Sequence, residues 1–387
     1  MRILLTMNLP YDPPLGGANK ANRAVVEMLA SRGHSVRVVV PSAQEFGVAA
    51  RSVGREATRS GTRHFLSKRV EIFAIDTSMS TVPKNLRYQI EDFRPDCILV
   101  SSEDPMYLLL REAIRHNPSR VVYLAHTPNC LPFGPSAFYA TSRSVELLQQ
   151  VGGIIAVSRF CADYIKVWSG LETMQLYLPV YGAPPFPRYH NFKKGYITCI
   201  NPCAYKGIDI LLGLAEMCPH LPFAAVPSWG TTDADRGRIA SRSNITLLDP
   251  NPEIDTILKL TSILLVPSLY LENFPMIIIE ALLRGIPVVA SDVGGIPEAK
   301  LGTNFLIPIA PIERFKKKWD ENKLWVPIIP PQNILPWRDS VSILSSDNEV
   351  YKRESDISVD ASHAFIAALG IGPFESFLMR IVSGFRE

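Results

Sequence analysis

Two glutamates, Glu272 and Glu280, have the spacing and surroundings of residues that could bind a sugar. They lie in residues 266–299, which are predicted to form a strand, a loop, a helix, a strand and a Gly-Gly turn. Eight residues span about 12 Å of helix at ~1.5 Å per residue. Two such carboxylates could therefore hold the hydroxyl-bearing ends of a nucleotide diphosphate sugar. Paired glutamates are usually only solvated, but the residues before Glu280 are apolar, which favours a functional role.

The loop before the helix is predicted to form an anion site. Ligands of open parallel sheets bind at the carboxyl ends of strands, where Glu272 is placed. A helix beginning near Phe274 would point its unpaired backbone N–H groups at the same place. Because Pro275 has no N–H group, the donors would be Phe274, Met276 and Ile277.

Lys206 follows another predicted strand and could neutralise a diphosphate. Its segment, Asn201 to Asp209, precedes an apolar helix. A cation at this end of a strand is well placed to neutralise the negative charge of a bound diphosphate. A solvated loop lysine is the alternative, and position alone does not decide between them.

The first half of the chain contributes two weaker signals. Gly16 and Gly17 separate a predicted strand from a helix, so their N–H groups could approach a phosphate or sugar, although a lone Gly-Gly is more often an ordinary turn. The GxGxxG signature is absent there, which argues against NAD chemistry. His126 ends a predicted strand, and a lone histidine is more often structural than catalytic.

These segments resemble retaining, nucleotide-sugar-dependent glycosyltransferases of family 4 (glycosyltransferase group 1), which have the GT-B fold and an EX7E motif. The matching stretches are Glu272-x-Phe274, Glu280-Ala-Leu, Gly285-Ile-Pro-Val-Val, Gly294-Gly-Ile-Pro-Glu298 and the loop Asn201 to Asp209. The family usually has Gly at position 275 and Arg at position 201. Either Lys206 carries the diphosphate charge with Asn201 as a neutral donor, or another cation substitutes.

The resemblance implies roles for individual residues. Glu280 would bind the ribose hydroxyls, while Glu272 and His126 would contact the donor sugar. The expected catalytic residues are His126, Lys206 and Glu272. The expected donor-binding residues are Gly16, Gly17, Asn201, Lys206, Glu272, Asn273, Phe274, Met276, Ile277 and Glu280. No metal site and no cofactor other than the nucleotide-sugar co-substrate are expected.

The implied reaction is metal-independent, hexosyltransferase-type transfer with retention of the anomeric configuration. UDP-sugar is the expected donor, and the acceptor hydroxyl would belong to a saccharide, a lipid-linked molecule or a small molecule, as in polysaccharide biosynthesis. The departing phosphate would help deprotonate that hydroxyl without a covalent intermediate. The alternatives are a non-hydrolysing nucleotide-sugar epimerase of the same fold and a non-catalytic nucleotide-sugar-binding subunit.

Four further acidic residues are expected to lie in polar, solvated loops. Asp233 and Asp235 form a DxD sequence, but no strand precedes them, so a polar loop is predicted rather than a metal site. Glu103 and Asp104 follow a predicted strand and could touch an acceptor, although a solvated loop is the default interpretation.

The chain of 387 residues is too long for one core and alternates short β-branched runs with amphipathic segments. This predicts an α/β protein of GT-B type, with two Rossmann-like domains facing each other across a cleft. Residues 1–185 would bind the acceptor and 186–373 the nucleotide sugar, with a final helix at about 374–387 packing back on the first domain.

Strands are predicted at 2–7, 35–40, 70–75, 97–101, 121–125, 153–157, 196–200, 223–227, 245–248, 263–267 and 288–291. Helices are predicted at 19–32, 106–116, 144–150, 158–168, 208–217, 253–260, 274–284 and, in two parts, 363–385. Residues 303–345 are left without a predicted role.

The charged residues and the cysteines indicate which partners and which cellular compartment to expect. Lys plus Arg number 40 against 37 Asp plus Glu, a formal charge of +3 that argues against nucleic-acid binding. The six cysteines form no CxxC pair and are expected to be reduced in a cytoplasmic protein. Arginines recur every fourth residue at Arg51, Arg55, Arg59 and Arg63. If helical, this spacing would put the four side chains on one face. Such a face could bind an acidic or phosphorylated acceptor, or make a peripheral contact with the inner face of a membrane, and a solvated loop is the alternative.

Overall fold

The computed structural model describes residues 1–46, 57–59, 61–76 and 81–384, with the backbone alone at 57–59. The chain divides into a first unit, Met1–Val180 with Leu369–Glu387, and a second unit, Tyr181–Ala368. The expected boundaries were 185 and 373. The second unit begins earlier because Tyr181 already packs its ring on Phe365, with 6.2 Å between the ring centroids.

The first unit is built on a mostly parallel sheet. Its strands are β1 (Arg2–Thr6), β2 (Ser35–Pro41), β3 (Ala57–Arg59), β4 (Thr62–Ser67), β5 (Val70–Ile75), β6 (Cys97–Ser101), β7 (Val121–Ala125), β8 (Gly153–Ala156) and β9 (Met174–Gln175). The described strands follow the order β3-β4-β5-β2-β1-β6-β7-β8-β9. Its first helices are α1 (Gly17–Ser31), α2 (Val82–Phe93), α3 (Leu108–His116), α4 (Ser142–Gln150) and α5 (Arg159–Ser169). The central strands are apolar runs buried on both faces, which is the pattern of a sheet covered by helices on each side.

The second unit repeats the plan with its own core. Its strands are β10 (Tyr196–Ile200), β11 (Phe223–Val226), β12 (Ile245–Leu247), β13 (Thr261–Val266), β14 (Val288–Asp292), β15 (Leu306–Pro308), β16 (Phe315–Trp319) and β17 (Trp325–Pro327). Its helices are α6 (Ile208–Met217), α7 (Asp233–Ala240), α8 (Asp255–Leu258), α9 (Met276–Leu282), α10 (Ile296–Ala299), α11 (Leu335–Ser346) and α12 (Asn348–Ala367). A parallel sheet has the order β12-β11-β10-β13-β14-β15, and β16 pairs with β17 as a separate antiparallel hairpin.

Apart from the C-terminal region, every predicted strand and helix forms within two residues of its expected ends. The prediction of two terminal helices is correct at the break, since α12 ends at Ala367 and α13 (Gly372–Ser383) follows. It is wrong at the start, because α12 begins at Asn348. By length and composition alone, the described stretch Asn348–Ser383 could cross a membrane, yet it consists of two separate helices.

Helix α13 packs on the first unit. Glu375 accepts hydrogen bonds from Arg32 Nε at 2.8 Å and pairs with His34 Nε2 at 2.6 Å. The side chains of Phe377 and Ile381 lie so close to Gly153 that a Cβ there would be 2.5 Å from the Phe377 ring.

The described part of the arginine stripe forms a hairpin and not the helix considered above. Arg51 and Arg55 lie outside the described residues, while Arg59 ends β3 and Arg63 lies on β4, in an antiparallel hairpin. Arg63 Nε bonds Asp76 at 3.0 Å. Two of the four arginines therefore belong to a hairpin, in which side chains alternate between faces.

Candidate functional site

The carboxyl ends of β10 and β13 bring two of the predicted site residues together. Lys206 ends a 3₁₀ turn after β10 and Glu272 follows β13, and the Lys206 ammonium donates a hydrogen bond to Glu272 Oε1. Ser268 Oγ donates to the same oxygen at 2.8 Å. Strand β10 has β11 on one side and β13 on the other, so this is where the order of strands reverses. Crevices at such a point bind ligands in open α/β sheets.

The turn that carries Lys206 depends on Gly207. This residue has φ +68°, and a Cβ there would lie 1.9 Å from the Pro267 carbonyl oxygen. The Leu269 N–H donates to the Tyr205 carbonyl at 2.9 Å. Only glycine allows so close an approach, and the approach places the Lys206 turn directly against the loop after β13.

The Gly294-Gly295 turn holds the loop that carries Glu272. Gly295 N–H donates to the Glu272 carbonyl at 2.7 Å. A Cβ at Gly294 would lie 2.5 Å from that carbonyl oxygen, and one at Gly295 would lie 1.6 Å from the Asn273 carbonyl oxygen. The two glycines therefore permit backbone contact between the loops after β13 and β14.

Glu280 lies on α9 and is buried, with 7% of its surface exposed. Its backbone carbonyl accepts a hydrogen bond from Arg284 at 2.9 Å. Burial and then the nearby Glu280 carboxylate raise the pKa of Tyr181 above its ordinary value. The carboxylate thus acts on a half-buried aromatic surface that Tyr181 forms with Phe274 and Phe365, whose ring centroids are 5.8 Å apart.

The predicted start of α9 was wrong by two residues. The helix begins at Met276, and Pro275 is its extended N-cap, so Phe274 lies outside the helix. A proline disfavours helical geometry in the residue before it, which explains the delay. Glu272 is therefore a loop residue, and the helical spacing of about 12 Å does not describe its separation from Glu280.

Asn201 connects the loops after β10 and β11. It is 4% exposed and has φ +58°. Its Oδ1 accepts hydrogen bonds from Gly230 N at 3.0 Å and from Thr231 Oγ1 at 3.3 Å. Within the described part of the chain its Nδ2 is buried and has no hydrogen-bond partner. The side chain is therefore a fixed neutral group with donor capacity to spare.

In the first unit, His126 belongs to a buried polar network at the carboxyl ends of β6 and β7. Its Nε2 lies 2.7 Å from Asn22 Oδ1, and Asn22 Nδ2 donates to Ser101 Oγ at 2.8 Å. Since an amide oxygen only accepts, Nε2 of His126 carries a proton. Burial lowers the pKa of His126, so the imidazole is neutral. Ser101 Oγ in turn donates to Glu103.

Gly16 and Gly17 lie at the start of α1. Gly16 is the N-cap with φ +89°, and Gly17 is the first helical residue. Both are exposed, and nothing lies within 4 Å of a Cβ built at Gly16. Space for a ligand is therefore present on this side of the turn.

Two family models match the chain. The model described as Glycosyltransferase Family 4 matches residues 15–173, and the one described as Glycosyl transferases group 1 matches residues 240–321. The first range contains His126 and the second contains Glu272 and Glu280.

The chain is a family-4 glycosyltransferase.

Solved structures agree on the fold of this glycosyltransferase. Sucrose-phosphate synthase from Thermosynechococcus elongatus superposes with a TM-score of 0.67 at 14% identity, covering 98% of this chain and 97% of that one. Anabaena Alr3699/HepE in complex with UDP-glucose gives 0.67 at 14% identity and full coverage of both chains. A 42.6 kDa protein in the cps region of Klebsiella pneumoniae is 23% identical over 340 residues, 77% of this chain and 87% of that protein. The fold is α/β of GT-B type.

One member of each of the two acidic pairs of the glycosyltransferase is structural. Asp104 is 1% exposed and accepts hydrogen bonds from three backbone N–H groups at the start of α3, so it is not a solvated loop residue. Burial nevertheless raises its pKa. The DxD segment begins α7 rather than forming a polar loop, and Asp235 forms a capping box with Thr232. A helix cap explains this spacing without a metal.

Sequence reasoning missed three polar residues that hold the site residues of the glycosyltransferase. Ser268 bonds Glu272, while Asn22 and Ser101 extend the His126 network. Ser268 and Ser101 each stand at or just after the carboxyl end of a predicted strand, which is a signal the sequence does contain. Asn22 lies on the buried face of α1, where an isolated asparagine could have been questioned.

Proposed function

We propose that this glycosyltransferase transfers a sugar from a nucleotide diphosphate sugar to an acceptor hydroxyl with retention of the anomeric configuration, and that the donor is a UDP-sugar. The observation that carries the proposal is the contact of Lys206 with Glu272 at the point where the strand order reverses. A cation can neutralise the diphosphate, and a neighbouring carboxylate can accept hydrogen bonds from the sugar hydroxyls. The bound UDP-glucose of Anabaena HepE supports the choice of base.

Lys206 is assigned to the diphosphate. Its ammonium has three donors and is partly exposed, with 24% of the side chain accessible, so a phosphate can reach it. As the bond to the sugar breaks, negative charge grows on the diphosphate, and a cation already in place lowers the energy of that state. No metal is needed for this neutralisation.

Glu272 and Glu280 are assigned to hydroxyl groups at the two ends of the donor. Glu272, held by Ser268, would accept hydrogen bonds from the sugar, and the buried Glu280 from the ribose. Asn201 would offer its spare Nδ2 to a phosphate oxygen as a neutral donor. Charge-assisted hydrogen bonds of this kind are stronger than neutral ones and fix orientation.

His126 is assigned to contact with the donor sugar. Its proton on Nε2 is committed to Asn22, which fixes the ring plane, and its low pKa keeps it uncharged. A neutral imidazole does not compete with Lys206 for the diphosphate. The departing phosphate oxygen takes the proton of the acceptor hydroxyl as the new bond forms on the same face of the sugar, without a covalent intermediate.

The test is incubation of the purified chain with UDP-, GDP-, ADP- and dTDP-sugars, with and without saccharide and lipid-linked acceptors. Release of nucleoside diphosphate together with a product of unchanged anomeric configuration by NMR supports the proposal. Interconversion of donor sugars without release would instead identify an epimerase. Saturable binding without any turnover would identify a binding subunit. Activity that disappears on chelation with EDTA would contradict the metal-independent mechanism.

The proposal also covers the class of acceptor and the cellular compartment. We expect a saccharide or lipid-linked acceptor of polysaccharide biosynthesis, used in the cytoplasm, and the similarity to a protein of a cps region supports this class. An acceptor panel in which only small aromatic or amino-acid hydroxyls react would contradict it.

A further inference from the structure

The hairpin of β16 and β17 lies within residues 303–345, the part of the chain without a predicted role. Its inner end is anchored in the second unit, because the Phe315 ring stacks on Tyr205 at 6.1 Å and meets Tyr270 edge-on at 5.6 Å. The Tyr205 hydroxyl also donates to the Trp325 carbonyl. The hairpin is therefore fixed at one end by aromatic packing.

The outer part of the hairpin carries three lysines and a pair of tryptophans. Lys316, Lys317 and Lys318 are all exposed, and none of them forms an ion pair with any residue that the structure describes. The Trp319 and Trp325 rings stack at 4.1 Å, and Trp319 is 50% exposed. The exposed surface of Trp319 is apolar, whereas the ammonium groups are well hydrated, and an indole beside cationic side chains suits an interface that is apolar at one depth and charged at another.

The acidic residues of the tip are turned to the chain itself. Asp320 Oδ1 accepts a hydrogen bond from Leu324 N at 2.8 Å, which closes the turn, and Glu321 accepts from the backbone N–H of Asp233. Among the described residues, neither carboxylate forms an ion pair with one of the three lysines. Because side chains alternate along a strand, the hairpin presents positive charge on both of its faces, next to the exposed indole of Trp319.

We propose that the β16–β17 hairpin docks the protein on an anionic lipid bilayer. Each lysine near an anionic surface raises the binding constant by roughly a factor of five. Tryptophan rings lie preferentially at the level of the lipid headgroups. The combination favours a bilayer over a soluble polyanion, because a soluble polyanion would leave the exposed indole in water. This inference does not depend on the function proposed above.

The experiment is sedimentation of the full chain with vesicles of phosphatidylcholine alone or mixed with phosphatidylglycerol. We expect binding to the mixed vesicles only, with affinity that falls as salt is added. The triple variant Lys316→Gln, Lys317→Gln, Lys318→Gln should bind about 100-fold more weakly. The matched control replaces three exposed lysines elsewhere with the same loss of charge: Lys84→Gln, Lys259→Gln and Lys352→Gln. The control should bind like the wild type.

A second measurement reports on Trp319 directly. Tryptophan fluorescence should be quenched by brominated lipids in mixed vesicles, and Trp319→Ser should remove most of that quenching. Equal loss of binding in the control variant, or wild-type binding by the hairpin variant, would overturn the proposal. Binding to a soluble acidic polysaccharide but not to vesicles would also overturn it. Release of nucleoside diphosphate from a soluble donor should be unchanged in the hairpin variant, which separates this result from any failure of the proposed function.

Discussion

Lys300 gives the sharpest quantitative prediction, because it is a lysine buried without a carboxylate bonded to its ammonium among the described residues. It is 2% exposed, and its ammonium donates to the Val288 carbonyl of β14. Burial lowers its pKa from 10.5 to about 7, with Glu354 acting in the opposite direction. The perturbation is Lys300→Met, which removes the charge and shortens the side chain by one heavy atom.

The sign and magnitude follow from linkage. The folded-state pKa lies below the unfolded one, so between about pH 7 and pH 10.5 the unfolded chain binds more protons, and stability rises with pH. A shift of about 3.5 units at 1.36 kcal/mol per unit corresponds to about 5 kcal/mol. Relative to the methionine variant, the wild type should therefore gain about 1.4 kcal/mol per pH unit across this window.

The assay is amide hydrogen exchange of peptides that cover β13 and β14, with opening free energies corrected for the intrinsic effect of pH on exchange. Hydrogen exchange is preferred because a protein of two units need not unfold in two states. Other titrating groups contribute equally to the pH dependence of both proteins, so their contributions cancel in the difference. One such group is the buried thiol of Cys199, whose pKa is raised by burial to about 12. Lys259→Met, at an exposed site, is the control and should show no slope. A difference between wild type and Lys300→Met that stays constant across the window would refute the reasoning.

Three further predictions concern the candidate site. Glu272→Ala should abolish sugar transfer, and Glu272→Gln should lower kcat/KM at least ~10-fold, because a charged hydrogen bond is lost. Circular dichroism should show that both variants keep the fold. Turnover at the wild-type rate would contradict the role of Glu272. Lys206→Ala should weaken nucleoside diphosphate binding by ~10- to 100-fold in calorimetry, with partial recovery in Lys206→Arg, and equal affinity would remove Lys206 from the site. Gly295→Ala should destabilise the second unit by ~2 kcal/mol or more in denaturant unfolding, since its Cβ would lie 1.6 Å from a carbonyl oxygen. Gly237→Ala, on helix α7 with nothing within 4 Å, should be neutral or stabilising, and similar effects of both changes would contradict the close-contact argument.

Most of the fold could be predicted because its strands are continuous apolar runs separated by amphipathic segments. Helix α2 was missed although Val82, Leu86 and Ile90 repeat every four residues, so its signal was present in the sequence. Helix α7 was missed for a different reason. It is mostly polar, with Ile239 as its one large apolar residue, and only the Thr232-x-x-Asp235 capping box marks its start.

The site was predictable in its residues but not in their contacts. Lys206 and Glu272 lie far apart in sequence and meet because β10 and β13 are neighbours in the sheet, an order that local patterns do not encode. The late start of α9 could have been inferred from Pro275. The hairpin of β16 and β17 was not predicted, because three consecutive lysines obscure any alternation.

The bond between Lys206 and Glu272 also has a consequence for turnover. In the empty site the Lys206 ammonium and the Glu272 carboxylate bind each other. Inorganic phosphate or a bare sugar would have to break this pair, and it would then form a new contact with only one of the two residues. A complete donor compensates both partners at once. After transfer the nucleotide has no sugar left to occupy Glu272, and the carboxylate is again available to the ammonium. On the proposed mechanism, the same two side chains therefore reject incomplete ligands and hasten departure of the spent nucleotide.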